Sequence, residues 1–107
     1  MQRFMLTVFS NPTAGDDDAY NDWYNNTHLK DVLSIPGIEK AQRFRTVDGN
    51  GLPGQMTEHS YLATYEILTD DLAGVLAELL RRSNTPEMHI SPAIDIENVR
   101  LHVSEAV

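Results

Sequence analysis

Tyr20, Tyr24 and His28 recur every four residues along one stretch of the chain, with Trp23 beside them. Histidine has an ordinary pKa near neutrality, so a partly apolar pocket can tune it to serve as a general acid or base. Tyrosine and tryptophan offer flat apolar area with one polar handle, suited to stacking on an aromatic ligand or hydrogen-bonding to it. Together the set can move a proton next to a carbonyl, with His28 as acid or base and Tyr24 orienting or polarising the oxygen. The plainer reading of the same residues is a helix face pressed into a core, with His28 satisfied by one hydrogen bond.

Further candidates lie elsewhere in the chain. Arg43 and Arg45 share one parity of a strand-like segment, and either can hold a carboxylate or enolate bidentately. The structural alternative is an ion pair with one of the acidic residues. His59, Tyr61 and Tyr65 also share a parity, which places them on a pocket floor if it faces the helices and in an interface if it does not. His89 falls in an irregular segment where a lid residue would lie, and Asn11 ends the first strand as a ligand-contact candidate.

Other chemistries lose their support. His28, His59, His89 and His102 have no consistent spacing and form no HExxH pair, so no metal site is expected. Gly49, Gly51 and Gly54 lie in a hairpin with no following helix, which argues against a phosphate loop and a nucleotide cofactor. No GxSxG elbow supports a serine nucleophile. The absence of cysteine excludes disulfides, thiolate zinc sites, iron-sulfur clusters and thiol nucleophiles. The expectation is a protein without a cofactor.

The elements that must position these residues follow from periodicity. Residues 3 to 10 read as a strand that stops at Ser10-Asn11-Pro12. Asp16, Asp17 and Asp18 suit the positive end of a first helix, which runs to about Ser34 and ends at Pro36-Gly37. Along it Tyr20, Tyr24, His28 and Val32 form the inward stripe with Trp23, Thr27 and Ile35 alongside, while Asn21, Asn25, Asn26, Lys30 and Asp31 face water. Residues 38 to 47 make a polar second strand, 48 to 54 a hairpin connection, and 59 to 68 a third strand. Thr69 or Asp70 caps a second helix through Leu72, Val75, Leu76, Leu79 and Leu80, and residues 96 to 103 close the chain as a fourth strand.

This order, β-α-β-β-α-β, is that of a ferredoxin-like α+β fold, an antiparallel sheet with both helices on one face. Its 107 residues make a single domain, residues 1 to 107. Strands one and three are apolar on both parities, so the second sheet face needs a cover, and the simplest is another copy packed sheet on sheet in a homodimer. A formal charge of −8 has the wrong sign for nucleic acid or anionic lipid. No apolar run approaches the roughly 20 residues of a membrane span, and no secretory signal is evident, so a cytoplasmic location is expected.

The run Tyr20-Asn21-Asp22-Trp23-Tyr24-Asn25-Asn26-Thr27-His28, followed by Ile35-Pro36-Gly37-Ile38, Ala41-Gln42-Arg43-Phe44 and Ile90-Ser91-Pro92-Ala93-Ile94-Asp95, resembles the dimeric α/β-barrel superfamily. It looks most like the EthD-like and REDY-like members. The resemblance implies a ligand pocket between the sheet and its helices, lined by the inner face of the first helix. It also implies a range of functions, from polyketide cyclases and muconolactone-type isomerases to haem-degrading monooxygenases, among which the fold does not choose. The expectation is a cofactor-independent acid/base enzyme of cyclase, isomerase or lyase type on a small aromatic or polyketide-like intermediate, with His28 and Tyr24 catalytic and Tyr20, Trp23, Asn11, Arg43, Tyr61, Tyr65 and His89 binding. The alternative is a non-catalytic carrier of a hydrophobic pathway intermediate.

Overall fold

Aromatic and branched residues carry Gln2–Ser10 into the first strand, β1, of the computed structural model, which describes residues 1–47 and 58–107. Ile38–Arg45 forms β2, Tyr61–Thr69 forms β3 and Arg100–Glu105 forms β4. The strands lie in the order β2-β3-β1-β4, and every pairing is antiparallel. The hairpin expected over 48 to 54 falls outside the described residues.

Register decides which parity meets the helices. Leu6 lies opposite Tyr65 and Phe4 opposite Ile67, and all four are buried with Ala63 on the helix side of the sheet. Tyr61 and Tyr65 share that side, as do Ala41, Arg43 and Arg45 of β2, through their pairing with Tyr65, Ala63 and Tyr61. The opposite face carries Met5, Phe9, Leu62 and Leu68, all half-buried, and Phe44, which is 44% exposed. Thr7, Thr64, Glu66 and Gln42 interleave with them, so this face is mixed rather than uniformly apolar.

The first helix is not one α-helix. Asp17–Trp23 (α1) passes into a π-helical turn, Tyr24–His28, and then into Leu29–Leu33 (α2). The Leu29 amide donates to the Tyr24 carbonyl, an i to i−5 bond that widens the turn by one residue. Residues spaced by four drift around a plain α-helix, because its period is 3.6. The wider turn takes up that drift and keeps Tyr20, Tyr24 and Val32 buried on one side with Trp23. Thr27, expected beside the stripe, is turned out to water for the same reason. Asp16 precedes α1 and makes no side-chain capping bond, so Asp16, Asp17 and Asp18 favour the helix start by charge alone.

Gly37 ends this unit with φ of +99°, and a Cβ built there would meet Val75 Cγ2 at 2.9 Å. Both the backbone region and the close approach to the second long helix require glycine. Gly37→Ala is expected to cost about 1 to 3 kcal/mol of stability in urea denaturation; an unchanged midpoint would count against this packing.

The second long helix, α3, spans Leu72–Arg82 and packs through Val75. Its cap is Asp71, one residue beyond the expected Thr69 or Asp70: the Gly74 amide donates to Asp71 Oδ1 at 2.9 Å, while Thr69 Oγ1 accepts from the Asp71 amide. Glu78 and Glu87 pair with Arg81 and Arg82 and tie the helix end to the segment that follows. That segment, 83 to 95, buries Met88, Ala93 and Ile94, and it is stitched to the end of β1 by the Asp95 amide on the Asn11 carbonyl. The last strand begins later than the expected residue 96, because Ile96–Asn98 first makes a 3-10 turn. No helix among the described residues is long and apolar enough to cross a membrane.

Candidate active site

The π turn brings together two side chains that a plain helix would separate. Trp23 and His28 are five residues apart, well apart around an α-helix but neighbours across a π turn. Their rings stack with centroids 4.6 Å apart and planes at 24°. Tyr24 meets the His28 ring edge-on at 5.0 Å and the Trp23 ring at 5.2 Å. The Trp23 indole donates to the His89 carbonyl at 3.1 Å, which fixes its orientation. The histidine is thus held by ring contacts on two sides.

His28 makes no hydrogen bond among the described residues, and its Nδ1 is buried. Burial disfavours the charged imidazolium and pulls its pKa down to about 4. At neutral pH the ring is therefore the free base. The expectation of a histidine satisfied by one hydrogen bond does not describe this site.

Beside it lies a cavity of about 160 Å³ between the sheet and the helices. Leu6 and Val8 of β1 and Tyr65 of β3 form its floor, and Trp23, Tyr24, His28 and Val32 form one wall. Leu79 and Leu80 of α3 with Met88, Ile90 and Ile94 close the other side. No Asp, Glu, Lys or Arg is among the lining residues. The Tyr65 hydroxyl is buried and finds no well-formed hydrogen bond; burial and the adjoining Tyr24 push its pKa upward. Tyr24 is raised to about 12, chiefly by burial, with Tyr65 and Arg43 acting in its favour as an acid. Both tyrosines are therefore neutral hydroxyls at neutral pH.

The remaining candidates lie around this cavity or apart from it. Tyr20 is fully buried behind it, its hydroxyl 2.6 Å from Ser10 Oγ, and its pKa is raised by burial. Arg43 is not on the cavity wall. Its guanidinium carbon lies 4.4 Å from the centre of the Tyr24 ring and 5.2 and 5.3 Å from those of Tyr20 and Tyr61. Its terminal nitrogens donate to Asn25 Oδ1 at 2.8 Å and Asn21 Oδ1 at 2.9 Å. Asn21 and Asn25, expected to face water, hold this cation in place, and no acidic partner for it occurs among the described residues. Tyr61 joins the same cluster by accepting from Asn21 Nδ2. His89 contributes its backbone carbonyl, and its side chain is exposed. Asn11 is outside the cavity: its amide donates to the Glu58 carbonyl and its Oδ1 accepts from the Ser60 amide, clamping the approach to β3. His59 bonds the Asn98 carbonyl through Nε2 and adjoins Phe9.

The wall formed by Leu79, Leu80, Met88, Ile90 and Ile94 is not among the site residues that the sequence points to. Its signal was available in the apolar residues of an otherwise irregular stretch, Met88, Ile90, Ile94 and Ile96, which have no regular element of their own to stabilise. Among the described residues no cluster of three or more His, Asp or Glu is placed to hold a metal.

No protein-family model matches the sequence, and no curated protein does. Solved structures do match in shape. An EthD-family protein from Bacillus halodurans C-125 aligns over 100% of both chains with a TM-score of 0.54 at 16% identity. The heme-degrader MhuD from Mycobacterium tuberculosis aligns over 97% of this chain and 95% of its own, with a TM-score of 0.63 at 16% identity. The cofactor-independent oxygenase SnoaB from Streptomyces nogalater aligns over 99% and 94%, with a TM-score of 0.60 at 11% identity. At these identities the likeness is one of fold: the chain has the ferredoxin-like α+β fold of the EthD-family and ferredoxin-like structures that it matches.

Proposed function

We propose that the protein is a cofactor-independent acid/base enzyme acting on a small aromatic or polyketide-like intermediate, with His28 as the proton-moving group. One observation carries the reading: an imidazole free of hydrogen bonds among the described residues, held neutral and stacked in place, forms part of the wall of an apolar cavity. His28 takes a proton from a carbon beside a substrate carbonyl, the Tyr24 hydroxyl donates to the resulting enolate oxygen, and the imidazolium returns the proton to another atom. Isomerisation, cyclisation and elimination of a small group all follow this scheme. The oxygenase and haem-degrading neighbours share the fold, and the proposed scheme routes no step through haem.

A second reading, a non-catalytic carrier, has its own support in the almost wholly apolar lining. We also propose that the mixed outer sheet face, with Phe44, Met5, Phe9, Leu62 and Leu68, packs on a second copy.

The pH profile of turnover tests the enzyme reading on whichever small ketone or enol the protein converts. The base form of His28 is the active one, so kcat/KM is expected to stay level down to about pH 5 and to fall as His28 protonates near 4. An acid limb near the ordinary histidine value would separate His28 from the reaction. Saturable binding without turnover across such compounds would leave the carrier.

A further inference from the structure

The cavity is selective in three ways that its lining and shape display together. Its volume, about 160 Å³, is close to that of dry apolar cavities that hold a single benzene ring, about 150 Å³. Among the described residues its wall contains no ionised side chain at neutral pH: the lining has no Asp, Glu, Lys or Arg, and burial keeps His28 neutral. A ligand carboxylate or ammonium would enter without a counter-charge, at a high desolvation cost. Arg43, the nearest cation to Tyr24, is engaged by Asn21, Asn25 and three tyrosine rings outside the cavity.

The polar groups on the wall that the protein leaves without partners are few. Among the described residues His28 has no hydrogen-bond partner and the Tyr65 hydroxyl finds none that is well formed, and Ser83 adds one exposed hydroxyl to the lining. One hydroxyl or carbonyl on the ring is what a wall with so few free polar groups can serve. The mouth is apolar as well. Leu80, Ile96 and Leu101 line the cavity and are 70%, 61% and 58% exposed, a collar of hydrocarbon where the space meets solvent.

We infer that the cavity takes an uncharged, single-ring phenol or cyclic enol bearing an alkyl chain, with the ring inside, its oxygen near His28, and the chain lying across the collar of Leu80, Ile96 and Leu101. The inference rests on the reading of this cavity as the ligand site and narrows the substrate class. It also gives the collar a role: an alkyl chain covers apolar side chains that the fold otherwise leaves in water.

Three probes test it by isothermal titration calorimetry at neutral pH: phenol, 3-pentylphenol and 3-hydroxybenzoate. The Trp23 indole N–H resonance serves as the reporter of location, since Trp23 is the sole tryptophan. The pentyl chain is expected to tighten binding at least about tenfold over phenol. The carboxylate is expected to weaken it about thirtyfold or more relative to 3-pentylphenol. Leu80→Glu, a change at the exposed rim of the cavity, should weaken 3-pentylphenol at least about fivefold more than it weakens phenol, removing most of the gain from the pentyl chain. Equal affinity for 3-hydroxybenzoate and 3-pentylphenol, or a pentyl gain untouched by Leu80→Glu, would overturn the inference while leaving the cavity as a ligand site. If none of the three moves the Trp23 resonance, the ligand-site reading falls together with it.

Discussion

Acidification from pH 7 to pH 4 is expected to remove up to about 3 kcal/mol of stability through His28 alone. In the unfolded chain this residue takes its proton near 6.5, and in the fold only near 4. Between those values the unfolded state binds more protons, so falling pH favours unfolding. The contribution is present in full above about pH 6.5, shrinks as pH falls, and levels off below about 4. Its physical source is the desolvation of a ring enclosed by Trp23 and Tyr24, with no acceptor or anion among the described residues to compensate a charge. His28→Leu should flatten this part of the profile, and urea unfolding of parent and variant at both pH values isolates it from the carboxylates common to the two. At pH 7 the variant should be as stable as the parent or more so, since leucine removes a buried unpaired nitrogen. A loss above about 2 kcal/mol at pH 7 would instead mark a satisfied structural histidine and would end its candidacy as acid or base.

His28→Gln is expected to lower kcat by about 10² to 10⁴ with the ligand dissociation constant changed only a few-fold. Glutamine keeps a polar side chain but neither accepts nor returns a proton near neutrality, so the loss belongs to the chemical step. Tyr24→Phe keeps the ring that supports His28 and lies under Arg43, and removes only the hydroxyl. It should therefore lower kcat with little change in stability, by the smaller factor of one hydrogen bond to the enolate oxygen. Stopped-flow turnover alongside equilibrium binding separates the two quantities. An unchanged rate with weakened binding in His28→Gln would assign the cavity to a carrier.

Most of the fold was legible because hydrophobic periodicity and turn residues act locally. Ser10-Asn11-Pro12, Pro36-Gly37 and the apolar stripe of α3 around Val75 each mark a boundary or a packed face without help from the rest of the chain. What was not legible depends on bonds between distant residues. Asn25 does face solvent and Asn21 is half-buried, but helical position says nothing of an arginine arriving from β2, where it finds their carboxamides instead of a carboxylate. The start of β4 was placed too early because Ile96 is apolar, yet it belongs to a turn whose apolar side chain rims the cavity. The stripe from Tyr20 to Val32 was seen, but not its cause. Four-residue spacing kept up over twelve positions is one step too regular for a 3.6-residue period, and that excess was the trace of the π turn.

The π turn also has a bearing on ancestry. A helix whose two halves are held in place by packing answers the gain of one residue by forming such a turn, with the surplus residue contained in it. Tyr24–His28 therefore has the form left by a single inserted codon, and removal of one codon among Asn25, Asn26 and Thr27 would restore a plain helix. In that shorter chain the tryptophan and the histidine would lie four residues apart, the spacing at which a plain helix keeps two side chains on one face, and the sheet and α3 would keep their own contacts. On this geometry a helix of either length keeps the pair on one face, so the surplus residue is absorbed without loss of the pair or of the architecture.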